Sequence, residues 1–583
     1  MFKASILLLL CIINVIAVPS KPRFGNKMQD YESFHTYRIL QRLSFGPLMS
    51  MDDAKDDEFV VKTKAGRVRG STEKGNVNEK KVLKYLNIPY AESPTGDLRF
   101  EKPVEKIPWK GILEPINDSI SCIQPKGLPD LIMKEDCLVL NVWTPYPKPK
   151  NASVLVFIHG GAFIYGSSHE PRYRGANMVQ MGDIIVVTLN YRLSALGFLT
   201  NAEAGIKGNL GLFDQRLALK WVKENIEAFG GNPHHITLCG ESAGSVSVSA
   251  HTLSEESWPY FDRVILQSGN MLAYWAISSQ EKEKRLSDRF LKRIKCNDSS
   301  DVLKCLKKSF DSEKLKEALS NKLGMFQPTV DGDFFKDHPQ MLFQLGKVKQ
   351  CPMIFGTMES EMFFLTYYLL LDHNKTAIIQ KFNETLRNTF NYHHHYYEVA
   401  KKLYSPKCTP SYIEALRPLV EFLTDWSFTC PMKHEAYKRV LKFPRKDVFV
   451  FRYKYSSPVP YSYASGTFGY ADHGNDLWST FGIPFGNKKF PKEDKKLSLK
   501  MMAYFANFAK NGNPNIGKLH PPKDFKDIKL HKWPRHTKDG EKYLDIKGSD
   551  DFLVEAKLRE IHCVFWGTPM YAMYRSPFFN IKG

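Results

Sequence analysis

The stretch HITLCGESAGSVSVSAHTLS, from His235 to Ser254, constrains the fold more than any other part of this chain. It opens as a buried strand, with Ile236, Thr237, Leu238 and Cys239 in succession. It then breaks at Gly240-Glu241-Ser242-Ala243-Gly244 and resumes in the small residues Ser245, Val246 and Ser247. A serine between two glycines where a strand ends predicts a sharp strand-to-helix turn. There Ser242 takes strained dihedrals, and a side chain at either flanking glycine would clash with the turn. Three fixed positions in 583 residues match by chance about 0.2 times at average composition, so the pentapeptide needs partners elsewhere.

Other segments agree with that strand. SVLVFIHGG (153–161), DIIVVTLNYR (183–192), FDRVILQSG (261–269), CPMIFGTM (351–358) and DVFVFRYKY (447–455) are apolar runs without alternation, the pattern of strands covered on both faces. Between two of them, NLGLFDQRLALKWVKENIEAFGG sets Leu217, Leu219, Trp221, Val222 and Ile226 at helical spacing before a Gly-Gly stop. Alternating strands and helices predict the α/β class, a large and mostly parallel sheet flanked by helices. Its reactive crevice lies beyond the carboxyl ends of the strands, where Ser242 falls. At 43% hydrophobic and 13% aromatic content the chain can fill one large core, and the expected domain runs from residue 58 to 583.

The first residues, MFKASILLLLCIINVIAVPS, hold one lysine and an apolar run from Ala4 to Val18, with Val15 and Ala17 small enough for cleavage after Ala17. A signal peptide over 1–17 is the expectation, because the run is shorter than the ~20 residues of a membrane span. A polar, irregular arm over 18–57 follows. No later segment reads as a span, and YRSPFFNIKG carries neither a retention tetrapeptide nor an anchor tail. Sequons at Asn117, Asn151, Asn297, Asn374 and Asn383, with ten cysteines, fit a secreted, glycosylated, disulfide-bonded protein. The net charge of +20 gathers in lysine-rich stretches such as NKKFPKEDKK, without any nucleic-acid motif. It reads as a solvated basic face rather than a nucleic-acid surface.

A serine hydroxyl is a poor nucleophile until a base takes its proton, and that base needs a carboxylate to fix its tautomer. YADHGNDLWSTFG places His473 on a loop after the 447–455 strand. The run His393-His394-His395 has a spacing that neither helix nor strand turns towards one point, so it reads as surface; no metal and no cofactor is expected. IFGTMESEMFFL offers Glu359 and Glu361 as the acid, and the residues alone do not separate them. FIHGGAFIYG puts the exposed N–H groups of Gly160 and Gly161 after a strand, and Ala243 adds a third donor for an oxyanion.

These motifs, with LNIPYAESPTGDLRFEKP, EDCLVLNVWTP, LNYRLSALGFL, QPTVDGDFF and CVFW, resemble the type-B carboxylesterase and cholinesterase family of the α/β-hydrolase fold. The resemblance covers nearly everything from Val60 to Trp566. It implies Ser242 as nucleophile, His473 as base, and Glu361 as acid, because the family's acid falls five residues after the glycine ending its strand. It also implies the oxyanion donors Gly160, Gly161 and Ala243, and the disulfides Cys122–Cys137, Cys296–Cys305 and Cys430–Cys563. Cys239 is left as a buried thiol, with Cys351 and Cys408 unassigned. Trp275 matches a position lining the acyl pocket, and Phe363, Phe364 and Leu365 offer further apolar wall.

Two departures bear on the substrate. Cholinesterases carry a tryptophan in the first disulfide loop, whereas CIQPKGLPDLIMKEDC has no aromatic residue and loses that cation–π contact. Juvenile hormone esterases typically carry glutamine before the nucleophile, where this chain has Glu241. The expectation is a secreted hydrolase of hydrophobic, uncharged small-molecule esters. A cholinesterase-like or juvenile-hormone-esterase-like enzyme is one rival, and a non-catalytic adhesion or binding protein on the same fold another. Oligomeric state is not legible.

Overall fold

The computed structural model describes residues 58–575, apart from 116–118, 126–130, 309–310, 320–322, 371–372, 391–392, 406–410, 460–468 and 518–520. The expected signal peptide, the 18–57 arm, Asn117 and Cys408 lie outside the described residues.

An eleven-stranded sheet organises the chain. In chain order its strands are β1 (Ser71–Lys74), β2 (Lys81–Pro89), β3 (Val139–Pro145), β4 (Ala152–Ile158), β5 (Ile185–Leu189) and β6 (Gly231–Glu241), followed by β7 (Arg263–Gln267), β8 (Met353–Met358), β9 (Val448–Tyr453), β10 (Lys542–Ile546) and β11 (Phe552–Ala556). In space the order is β11-β10-β9-β8-β7-β6-β4-β5-β3-β2-β1. From β10 through β5 the neighbours run parallel. The edges are antiparallel: β10 with β11 at one end, and β5 with β3, β3 with β2 and β2 with β1 at the other. The uninterrupted apolar runs read from the sequence are the central parallel strands.

Those runs lack alternation because both faces are covered. On β4, Val154, Val156 and Ile158 enter one buried cluster, and Leu155 and Phe157 enter the cluster on the other face. Each such side chain contributes roughly 1.5–3 kcal/mol relative to exposure. The helices that matter below are α1 (Leu210–Asn225), α2 (Ala243–Thr252), α3 (Phe363–Leu370), α4 (Tyr412–Thr424), α5 (Cys430–Lys442), α6 (Lys492–Asn511) and α7 (Glu560–Arg575). The helix read from NLGLFDQRLALKWVKENIEAFGG is α1, closed by a short 3-10 turn and by Gly230 at φ 87°.

A third apolar cluster is built from α3, α4, the turn after α4 and Trp566 of α7, together with the helices Lys375–Phe390 and His394–Tyr404. Trp275 packs against both this cluster and the main core. Disulfides join Cys122 to Cys137, Cys296 to Cys305 and Cys430 to Cys563, the last tying α5 to α7. Cys239 and Cys351 are buried thiols. Asn151, Asn297 and Asn374 are exposed, and Asn383 is half-buried. No helix among the described residues is long and apolar enough to cross a membrane.

Candidate active site

Ser242 links β6 to α2 with φ 57° and ψ −124°, a region that non-glycine residues enter only under constraint. The constraint is steric on both sides. A Cβ at Gly244 would lie 2.0 Å from the Ile158 carbonyl oxygen, and one at Gly240 would lie 2.4 Å from Gly244 backbone. Both glycines are needed because α2 presses against the ends of β4 and β6. The Ser242 N–H donates to the Gln267 carbonyl at 2.9 Å, and its carbonyl accepts from Val246 at 2.9 Å. The strain is thereby held by sheet and helix together.

The side chains that the sequence reading assembled follow the carboxyl ends of separate strands: Gly160 after β4, Ser242 after β6, Glu361 after β8 and His473 after β9. His473 Nε2 lies 2.8 Å from Ser242 Oγ, and Nδ1 lies 2.6 Å from Glu361 Oε2. The other Glu361 oxygen accepts from the Met358 N–H at 2.8 Å and from the Thr357 hydroxyl at 3.0 Å. Glu359 points elsewhere and pairs with Lys454 at 3.0 Å. A two-residue offset thus puts one carboxylate beside the imidazole and the other against a half-buried lysine.

Glycine geometry also shapes the opposite wall. A Cβ on Gly160 would sit 3.0 Å from Ser242 Cβ, and one on Gly161, at φ 108°, would strike the Tyr165 carbonyl oxygen at 2.2 Å. Among the described residues, the N–H groups of Gly160, Gly161 and Ala243 make no backbone hydrogen bond. Nor does that of Ala162, which has φ 56° and was not singled out from the sequence. Unpaired N–H groups grouped beside a hydroxyl can receive a developing negative oxygen.

The electrostatics are dominated by buried acids. Burial pulls the His473 imidazole down, but the Glu241 charge and then the hydrogen bond and charge of Glu361 outweigh it, holding the group up at about 9. Glu241 itself is pushed up by burial and brought down in part by His473 and Arg172. Its Oε1 lies 3.2 Å from His473 Nε2 and makes no hydrogen bond. Burial also raises Asp472 and Asp476 to about 7 each. Asp472 accepts from the N–H of His473 at 2.8 Å and of Phe364 at 3.0 Å, tying the base's loop to the start of α3.

Trp275 donates its indole N–H to the Ser427 carbonyl at 2.9 Å, and its ring lies 5.5 Å from that of Phe428. Phe428 in turn lies 4.8 Å from the His473 ring, an aromatic group packed against the imidazole. The sequence reading did not pick it out. Phe364 and Leu365 pack into the third cluster, the Phe364 ring 6.1 Å from Tyr368. The three consecutive histidines are exposed at the start of a helix, away from these residues. Among the described residues no group of three His, Cys, Asp or Glu side chains could hold a metal ion.

Comparison with known proteins agrees with the fold. The chain matches the Carboxylesterase family over residues 57–566. It is 35% identical over 552 residues to a cholinesterase of Mus musculus, covering 88% of this chain and 87% of the relative. It is 30% identical over 579 residues to an acetylcholinesterase of Danio rerio, covering 88% of each. An acetylcholinesterase of Bungarus fasciatus is 31% identical over 545 residues, with 87% of each chain covered. The chain belongs to the carboxylesterase family, whose members share the α/β-hydrolase fold. It is a serine hydrolase of carboxylic esters.

Proposed function

We propose that Ser242, His473 and Glu361 form the catalytic triad of a secreted esterase acting on hydrophobic, uncharged esters. The observation that carries this reading is the unbroken run of hydrogen bonds from Ser242 Oγ through His473 to Glu361, at 2.8 and 2.6 Å. His473 takes the Ser242 proton as the oxygen attacks the ester carbonyl. Glu361 holds Nδ1–H and stabilises the imidazolium. The N–H groups of Gly160, Gly161 and Ala243, with Ala162 adjacent, receive the oxyanion. The alcohol departs with the proton from His473, and water then repeats the sequence on the acyl-enzyme. In Ser242→Ala, hydrolysis of a nitrophenyl acetate should fall to near background in folded protein; persistence of the activity refutes the assignment.

We read the acyl side as the apolar surface offered by Trp275 and Phe428, whose rings lie 5.5 Å apart. The first disulfide loop offers no aromatic face to a quaternary ammonium, which argues against choline esters. Naphthyl acetate is therefore expected to turn over with much higher kcat/KM than acetylthiocholine. The reverse order would transfer the assignment to a cholinesterase-like enzyme, and absence of an acyl-enzyme burst with any activated ester would favour a binding protein. Secretion and glycosylation rest on the N-terminal segment, the exposed sequons and the disulfides. Peptide-N-glycosidase treatment of protein from the culture medium tests both.

A further inference from the structure

Every third residue from 523 to 538 is basic: Lys523, Lys526, Lys529, Lys532, Arg535 and Lys538. All six are exposed. The residues between them turn the other way. Phe525, Ile528 and Leu530 pack against a buried cluster on one face of the sheet, and Trp533 is part of that cluster. Trp533 donates its indole N–H to the Val450 carbonyl at 3.0 Å, and the Asn515 side chain holds its backbone N–H and carbonyl at 2.7 and 3.0 Å. The His536 N–H then bonds the Val448 carbonyl at 2.7 Å. A segment fastened inward at such intervals presents its basic side chains outward as a row. Three residues of chain reach at most about 10 Å, which bounds the backbone spacing between one charge and the next.

The row has flanks. Lys488, Lys489 and Lys492 are also exposed, and Lys492 Nζ lies 5.7 Å from the Phe525 ring. At the other end Arg535 pairs with Asp447 at 2.8 Å, next in sequence to exposed Arg445 and Lys446. Among the described residues the five lysines of the row make no ion pair, whereas Lys80, Lys102 and Lys220 are each held by a carboxylate. Three exposed acids, Asp524, Asp527 and Asp539, offset half of the six charges, and the flanking lysines and Arg445 restore the excess. His536 sits at the start of β9, so this end of the row lies at the opposite end of the strands from Ser242 and His473.

We propose that the row from Lys523 to Lys538 is a docking surface for a linear sulfated polysaccharide. Lysine is a compact point charge on a flexible stem, so a row of lysines recognises charge density rather than one fixed anion geometry. A chain bearing sulfate groups at a repeating interval meets that row with one anion after another. The inward anchors mean that little of the backbone needs ordering on binding. Other polyanionic partners fit less well. No exposed residue from 523 to 539 is apolar, so nothing there enters a bilayer. No aromatic ring is exposed there for bases to stack on, and the stretch offers neither a helix nor a two-stranded ribbon to a groove of duplex DNA beyond the single short turn at Lys523–Phe525. Docking here is independent of the triad.

The test measures binding of a fluorescent heparin oligosaccharide to the full chain at several NaCl concentrations, for the parent and two triple variants matched in urea midpoint. One carries Lys526→Gln, Lys529→Gln and Lys532→Gln. The other carries Lys207→Gln, Lys292→Gln and Lys402→Gln, exposed lysines elsewhere with the same change in net charge. The row variant should bind about tenfold or more weakly than the parent, with a salt slope shallower by roughly two, and the control should stay within about threefold. Equal weakening in both variants overturns the row, as does a row variant whose Kd stays within about threefold of the parent's. Fully desulfated heparin should not compete. Competition by it, or tighter binding of the parent to a DNA duplex or to phosphatidylserine vesicles than to heparin, overturns the sulfated polysaccharide as partner. A parent that binds no heparin at physiological ionic strength overturns the docking surface itself.

Discussion

Ser242 and His473 meet at 2.8 Å, yet the chain places them by opposite means. The serine is set by its immediate neighbours: two glycines, the last residue of β6 and the first turn of α2, all within a few positions. The histidine is set from a distance. Its acid partner is 112 residues away in sequence, its ring packs on Phe428 from a π turn, and its backbone N–H rests on Asp472. The elbow is a local device pressed against the sheet, whereas the imidazole sits at a junction of three segments that meet only in the folded molecule. Local placement tolerates no change of backbone volume. Junction placement can be adjusted in degrees.

The sharpest way to break this contrast is at the acid. Glu361→Gln should lower kcat by roughly 10⁴, as expected when a triad carboxylate no longer fixes the tautomer of its histidine. Glu359→Gln, two residues away and paired with Lys454, should leave kcat within about twofold. Equal losses in the two variants, measured with nitrophenyl acetate, would remove the distinction between them.

The elbow should fail abruptly. Gly244→Ala puts a methyl 2.0 Å from the Ile158 oxygen. We expect a destabilisation of roughly 3 kcal/mol or more in urea titration, or no soluble protein. Gly548→Ala, whose Cβ would meet only Asp551 Cβ at 3.8 Å, serves as the tolerant control.

The junction should respond in graded fashion to charge. In the proposed triad His473 can act as a base only when neutral, and the surrounding carboxylates raise its pKa to about 9. The acid limb of kcat/KM should therefore climb with pH toward that value. Glu241→Gln removes the largest raising influence and should shift the limb to lower pH. An unmoved limb would detach Glu241 from the base. For stability the sign is reversed: a raised histidine pKa favours the folded state below its ordinary value of 6.5, and that contribution fades as pH rises through about 9.

The smallest effect is expected at the acid's support. Thr429→Val deletes one hydroxyl of the Thr357–Thr429 pair behind Glu361, worth about 1 kcal/mol, and should lower kcat up to about tenfold with KM little changed. A rise in KM at constant kcat would indicate that the pair shapes the pocket rather than the acid.

Much of the site was legible in the chain because catalysis at a strand end demands unusual local chemistry. Glycines flanking a serine, a His-Gly-Gly loop and apolar runs without alternation each state a backbone requirement in a few residues. Family resemblance then separated Glu361 from Glu359 and paired six cysteines. The antiparallel edges and the third cluster were not legible, since exposure of an edge leaves no strong pattern and helices packed over the strand ends resemble any others.

By itself, then, the sequence specified the central strands, the elbow and the residues proposed to react, because strands and elbow depend on residues adjacent in the chain and the family resemblance supplied the acid. Only the tertiary structure decided what stands against the imidazole and which N–H groups are left unpaired around the hydroxyl. Phe428 reaches His473 from the turn between α4 and α5, and no spacing of residues announces a contact made between separate helices and strands. Such contacts are chosen by how whole elements pack, which is a property of the fold rather than of any one segment.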